Sequence, residues 1–95
     1  MLKHIVMFRF KDEKKEENIA KTKELLEDLD GKIDELLKIE VGINKSIEDA
    51  GGSDLVLYSK FKDLEALDIY QKHPEHLRVL AFIKEVICER RVVDY

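Results

Sequence analysis

The chain is poor in the residues that mark most specialised protein classes. In 95 residues it has one cysteine, one proline, four glycines and no tryptophan. A lone Cys88 cannot close a disulfide within the chain, so the fold needs no oxidising compartment. With no CxxC partner nearby, it reads as a packed or quiet thiol. So little proline and glycine excludes collagen-like repeats, low-complexity segments and long linkers. The longest apolar run, Val79-Leu80-Ala81-Phe82-Ile83, is far short of the roughly 18 residues of a membrane span. The first residues, Met1-Leu2-Lys3-His4, hold no signal-peptide core or cleavage site. The expectation is a cytoplasmic protein with no membrane partner. Basic residues are also too few for a nucleic-acid partner, with 17 Lys and Arg against 21 Asp and Glu and a net charge of −4. Arg90-Arg91 is the densest basic pair near the C-terminus, and in a strand its side chains point to opposite faces.

What the chain does have is 44% hydrophobic and 40% charged residues, the balance of a globular protein. Its length fits one domain over residues 1–95. A domain of this size buries only about 60–65% of the surface its unfolded chain exposes, and it gains by burying a further face against a partner. Abundant Lys and Glu would suit a heat-stable protein.

Strict alternation over Leu2 to Lys11 predicts a strand, with Leu2, His4, Val6, Phe8 and Phe10 on one face. Asp12 to Gly31 reads as a helix, with Asp12 as N-cap, apolar Ile19, Leu25, Leu26 and Leu29 at helical spacing, and Gly31 at the stop. Ile33 to Leu37 fits either a helical turn or the start of a strand. Leu37, Ile39, Val41 and Ile43 then alternate as a second strand. Lys45 to Ser53 reads as a mobile polar loop with Gly51-Gly52 at its tip. Leu55 to Lys62 is the third strand. Asp63 caps a short helix carrying Leu64, Leu67 and Tyr70, and Pro74 suits the first position of a new helix with Leu77, Leu80, Ala81 and Ile83 on its apolar side. Val86 to Tyr95 is the fourth strand. This order predicts an α+β, ferredoxin-like βαββαβ sandwich with a four-stranded antiparallel sheet and the helices on one face. Ile5, Met7, Val56 and Tyr58 leave the other face too apolar for water. A symmetric dimer with its sheets back to back is the expected solution.

All three histidines occupy informative places. His4 interrupts the apolar face of the first strand, and His73 and His76 flank Pro74, with Tyr70 three residues earlier. Lys3-His4-Ile5-Val6-Met7-Phe8-Arg9-Phe10-Lys11, Glu40-Val41-Gly42, the block from Leu64 to His76 with its His73-Pro74-Glu75-His76 core, and the ending Arg91-Val92-Val93-Asp94-Tyr95 together resemble the stress-responsive A/B barrel (Dabb) family along essentially the whole chain. The resemblance implies a ferredoxin-like subunit pairing into a dimeric α+β barrel, with higher homo-oligomers compatible. The family includes plant stress proteins and a cofactor-free plant polyketide cyclase that works by an aldol-type condensation. Its catalytic tyrosine and histidine match Tyr70 and His76, and a strand histidine near its pocket matches His4. The implied chemistry has neutral His76 removing a proton from carbon between carbonyls, Tyr70 donating to the enolate oxygen, and His4 orienting substrate or His76. His4 and His73 are the candidate substrate-binding residues, and no metal or organic cofactor is required. The implied ligand is an apolar or carbonyl-bearing small molecule.

Each residue also has a bland reading. His73 before Pro74 can satisfy the open amides of a helix start. His76 fits a hydrogen-bonded histidine at the helix–sheet seam, His4 a structural one, and Tyr70 a core residue. A metal site from His73, His76 and Glu75 lacks a clean helical ligand spacing. Two departures from the family pattern stand out: Ile33-Asp34-Glu35 replaces its usual Ile-Pro-Gly turn, and Gly52-Ser53-Asp54 replaces an aromatic before the third strand. The competing function is a non-enzymatic stress or assembly protein with a collapsed pocket, and a monooxygenase-like or haem-handling role on the same fold is a third.

Overall fold

A computed structural model describes residues 1–46 and 52–95. Along the chain lie β1 (Leu2–Phe10), α1 (Lys15–Glu27), β2 (Lys38–Ile43), β3 (Leu55–Phe61), α2 (Leu64–Lys72), α3 (Pro74–Val86) and β4 (Ile87–Asp94). The strands form one antiparallel sheet ordered β2-β3-β1-β4. This is the ferredoxin-like arrangement expected from the alternation of periods. β1 sits centrally between β3 and β4. Val6, Phe8 and Phe10 of β1 and Leu55, Leu57 and Phe61 of β3 turn inward, where they meet Leu26, Leu67, Val79 and Ile83 of the helices in one core.

The central strand needs a polar device at its end. β1 pairs with β3 only as far as Phe8 opposite Leu55. The Asp54 amide then donates to the Phe8 carbonyl at 2.8 Å, and the Phe10 amide donates to Asp54 Oδ2 at 2.8 Å. Asp54 thus satisfies backbone groups that the shorter neighbour leaves open.

Several local expectations need correction. α1 starts at Lys15, two residues later than an N-cap at Asp12 implies. Asp12 is not its N-cap: Lys14 holds that position at φ 50° without a side-chain cap, and Asp12 instead pairs with Lys15 at 3.5 Å. α1 ends at Glu27 with Asp28 as its C-cap, short of the expected stop, and Gly31, at φ 82°, lies within the turns that follow. Ile33 to Leu37 is neither helix nor strand but a turn that buries Ile33 and Leu36 and leaves Leu37 exposed. Asp63 caps α2 as expected, accepting the Ala66 amide at 2.9 Å. Leu64 is 67% exposed and Leu77 is 50% exposed, because the buried stripes run through Leu67 and Tyr70 in α2 and through Val79 and Ile83 in α3. The polar loop expected to be mobile lies largely outside the described residues.

The outward face of the sheet is only partly covered. Met7 is 36%, Val56 37% and Val93 55% exposed, beside half-buried Ile5 and Tyr58. Val93 pairs directly with Ile5, so the apolar stripe runs across β3, β1 and β4.

Candidate functional site

Between the inward face of the sheet and the helices, on the β4 side, lies a cavity of about 300 Å³. Val6, Phe8 and Leu57 form its sheet wall, and Leu80, Ile83 and Leu26 its helical wall. Five polar side chains interrupt this lining: His4, Gln71, His76, Lys84 and Arg90. An apolar hollow with a few converging polar groups is the usual form of a small-molecule site. A larger hollow beside α1, about 430 Å³, is lined by Lys23, Glu24, Glu27 and Asp28 and opens to solvent. Its Lys23 and Glu27 already pair with each other at 2.6 Å.

The junction of α2 and α3 positions His76. Pro74 disfavours helical backbone at the residue before it, and His73 is extended at φ −65°, ψ 137°. The chain therefore breaks after Lys72 and starts again at Pro74. His73 becomes the N-cap of α3, its Nδ1 accepting the Glu75 amide at 3.1 Å. The last carbonyls of α2 have no helical partner. One of them, that of Gln71, accepts from His76 Nδ1 at 3.1 Å. A carbonyl can only accept, so Nδ1 carries the proton and Nε2 keeps a lone pair in the neutral ring. Burial holds the His76 pKa below the usual histidine value; the Gln71 bond opposes this, and charge on His4, Arg90 and His73 reinforces it. His76 is therefore neutral at pH 7.

His4 is 3% exposed on β1, directly opposite Asp94 in the β1–β4 register. Its Nδ1 bonds to Asp94 Oδ1, and Ser59 Oγ on the other side donates to the His4 carbonyl at 3.3 Å. The carboxylate fixes the ring as the Gln71 carbonyl fixes that of His76. Neither ring has a partner at Nε2 among the described residues. The rings are linked through packed aromatics: His4 meets Phe61 edge-on at 6.2 Å, Phe61 packs on Tyr70 at 4.8 Å, and Tyr70 on His76 at 4.5 Å.

Of the residues singled out in the sequence, the structure brings His4 and His76 to one cavity. Tyr70 lies behind His76 and does not line it. Its hydroxyl is fully buried with no hydrogen-bond partner among the described residues, and burial pushes its pKa up to about 12. The O–H thus stays protonated but faces neither cavity nor acceptor. His73 is engaged as a helix cap and is also absent from the lining. Glu75, weighed as a metal ligand, instead accepts from Arg78 at 2.7 Å. Sequence reasoning missed Asp94, Gln71, Lys84 and Arg90. Asp94 stood in the Val92-Val93-Asp94-Tyr95 ending, but only the β1–β4 register shows that it faces His4.

A ferredoxin-like sandwich with an apolar, histidine-bearing cavity under its helices defines a class of small α+β domain. Within that class, the chain belongs to the stress responsive A/B barrel domain family, whose model matches residues 2–95. A dimeric ferredoxin-like protein of unknown function from Bacteroides fragilis is 36% identical, with a TM-score of 0.87, covering 99% of this chain and 93% of its own. A second dimeric ferredoxin-like protein, from Thermobifida fusca, is 26% identical with a TM-score of 0.88, over 99% and 88% of the two chains. A hydroxynitrile lyase from Passiflora edulis shares the fold at 18% identity and a TM-score of 0.86, over 99% and 90%. No curated protein sequence matches this chain.

Proposed function

We propose that the protein is a homodimer whose cavity binds a small carbonyl-bearing molecule and moves a proton at the carbon beside that carbonyl, without a cofactor. One observation carries this reading. Two histidines share one apolar cavity, each with Nδ1 held by an oxygen acceptor and Nε2 left without a partner. Neutral His76 is the base, since its Nε2 lone pair is available at pH 7. His4, held by Asp94 at Nδ1, contacts the polar end of the substrate with Nε2. Tyr70 supports the His76 ring by packing; its placement gives no support to the donor role expected for it. His73 acts as a cap, which leaves substrate contact to His4, His76 and the apolar walls. The fold carries a hydroxynitrile lyase in Passiflora edulis, so lyase-class chemistry suits this architecture. A non-enzymatic assembly role calls for side chains filling this space, and an open volume of about 300 Å³ favours binding instead.

The dimer reading rests on the apolar stripe of Ile5, Met7, Val56 and Val93, and it agrees with the dimeric relatives.

The test of the chemistry is exchange of the protons beside the carbonyl of a medium-chain methyl ketone, followed by NMR in deuterated buffer. The wild-type protein should accelerate exchange by about 10²–10⁴ over buffer, the usual range for positioned acid–base groups. The change His76→Asn keeps a donor for the Gln71 carbonyl while removing the base, and should abolish the acceleration. An unaccelerated wild type, or full activity in His76→Asn, would overturn the proposal.

A further inference from the structure

The cavity has a charge pattern that proton transfer alone does not explain. Its charged lining residues are Lys84 of α3 and Arg90 of β4, both exposed at the rim, and among the described residues no carboxylate lines it. That runs against the composition, in which acids outnumber bases by 21 to 17. Neither Lys84 nor Arg90 pairs with a carboxylate among the described residues. Arg90 also stands close enough for its charge to disfavour a proton on His76. Two cations without counter-ions at the mouth of an apolar hollow complement one kind of ligand, an apolar body ending in an anion.

We infer that the cavity takes a short- to medium-chain carboxylate, its chain against Val6, Leu57, Leu80 and Ile83 and its carboxylate held at the rim by Arg90 and Lys84. This rests on the small-molecule reading of the same cavity and narrows it to an acidic amphiphile, such as an aliphatic keto acid. Arg90 supplies the planar fork that matches a carboxylate, and Lys84 adds a second positive charge. A volume of about 300 Å³ lies at the lower end for ligand sites, which excludes long acyl chains. With the carboxylate at the rim, the chain and its carbonyl run inward past the two histidines.

Calorimetric titration with octanoate and with octanamide, equal in length but differing in charge, tests this. Octanoate should bind at least about tenfold more tightly, as expected for a charge-assisted hydrogen bond. In the double change Arg90→Gln with Lys84→Gln that ratio should fall to about one, with octanamide affinity unchanged. From butanoate to octanoate each added methylene should tighten binding about fourfold, and the gain should stop once the cavity is full. Equal affinity for the two octyl compounds in the wild type, or a ratio that survives the double change, would overturn the carboxylate assignment and leave the cavity reading intact. Failure of both compounds to bind would overturn both.

Discussion

The layer between sheet and helices has two unlike halves. On the β3 side, Phe61, Leu67 and Tyr70 close it completely, with Phe61 and Tyr70 fully buried. The Tyr70 hydroxyl is sealed there without a partner among the described residues. On the β4 side the layer stays hollow, and among the described residues its two histidines each have one nitrogen bound and one free. The comparison shows where this small domain puts its stability and where it leaves room. The closed half tolerates an unsatisfied polar atom because packing holds it. The open half satisfies the Nδ1 groups that orient its rings, and leaves both Nε2 atoms without a partner among the described residues.

The largest effect should come from the closed half. Phe61→Ala should cost about 3–5 kcal/mol in denaturant unfolding, against at most about 2 kcal/mol for Leu80→Ala on the cavity wall, where no tight packing is lost. Equal costs would erase the distinction between the halves. Next is the sheet's outward face. Met7→Asp together with Val56→Asp would bury charge in the proposed dimer contact, and should weaken association at least a hundredfold, about 2.7 kcal/mol. Light scattering at fixed protein concentration should then report a protomer where the wild type reports a dimer.

A smaller effect is set by pH. Because the folded state holds the His76 pKa below its unfolded value near 6.5, the unfolded chain binds more protons as pH falls. The stabilising contribution of neutral His76 is therefore full above pH 6.5 and is lost as the pH drops through the depressed folded value. The wild-type stability curve minus that of His76→Asn should slope downward toward acid; a flat difference would mean that His76 is not buried as described. The smallest effect belongs to Tyr70→Phe, which removes a hydroxyl with no partner among the described residues. It should leave stability within about 1 kcal/mol or raise it. A loss well beyond that would show that the hydroxyl has a partner in solution.

Much of the fold was legible because period-2 and helical patterns are local. The four strands, the Asp63 cap and the break at Pro74 all follow from neighbours in sequence. The start of α1 was not, because an acidic cluster at Asp12 to Glu17 offers several capping positions and none of its side chains caps the helix. The exposed Leu64 and Leu77 misled in the same way, since an apolar residue near a stripe reads like one inside it. The site was half legible. His4 and His76 stand out as polar residues on apolar faces. Asp94, 90 residues from His4, becomes visible only through strand register, and the Gln71 carbonyl is a backbone group with no signature in the sequence.

The most direct measurement of the two-histidine arrangement is the ¹⁵N NMR signature of the imidazole nitrogens above pH 7, with and without a bound ligand. Nδ1 bonded to an oxygen acceptor predicts that each ring carries a proton on Nδ1, and that ligand perturbs the two Nε2 signals first. Rings protonated on Nε2, or Nε2 signals indifferent to ligand, would contradict it.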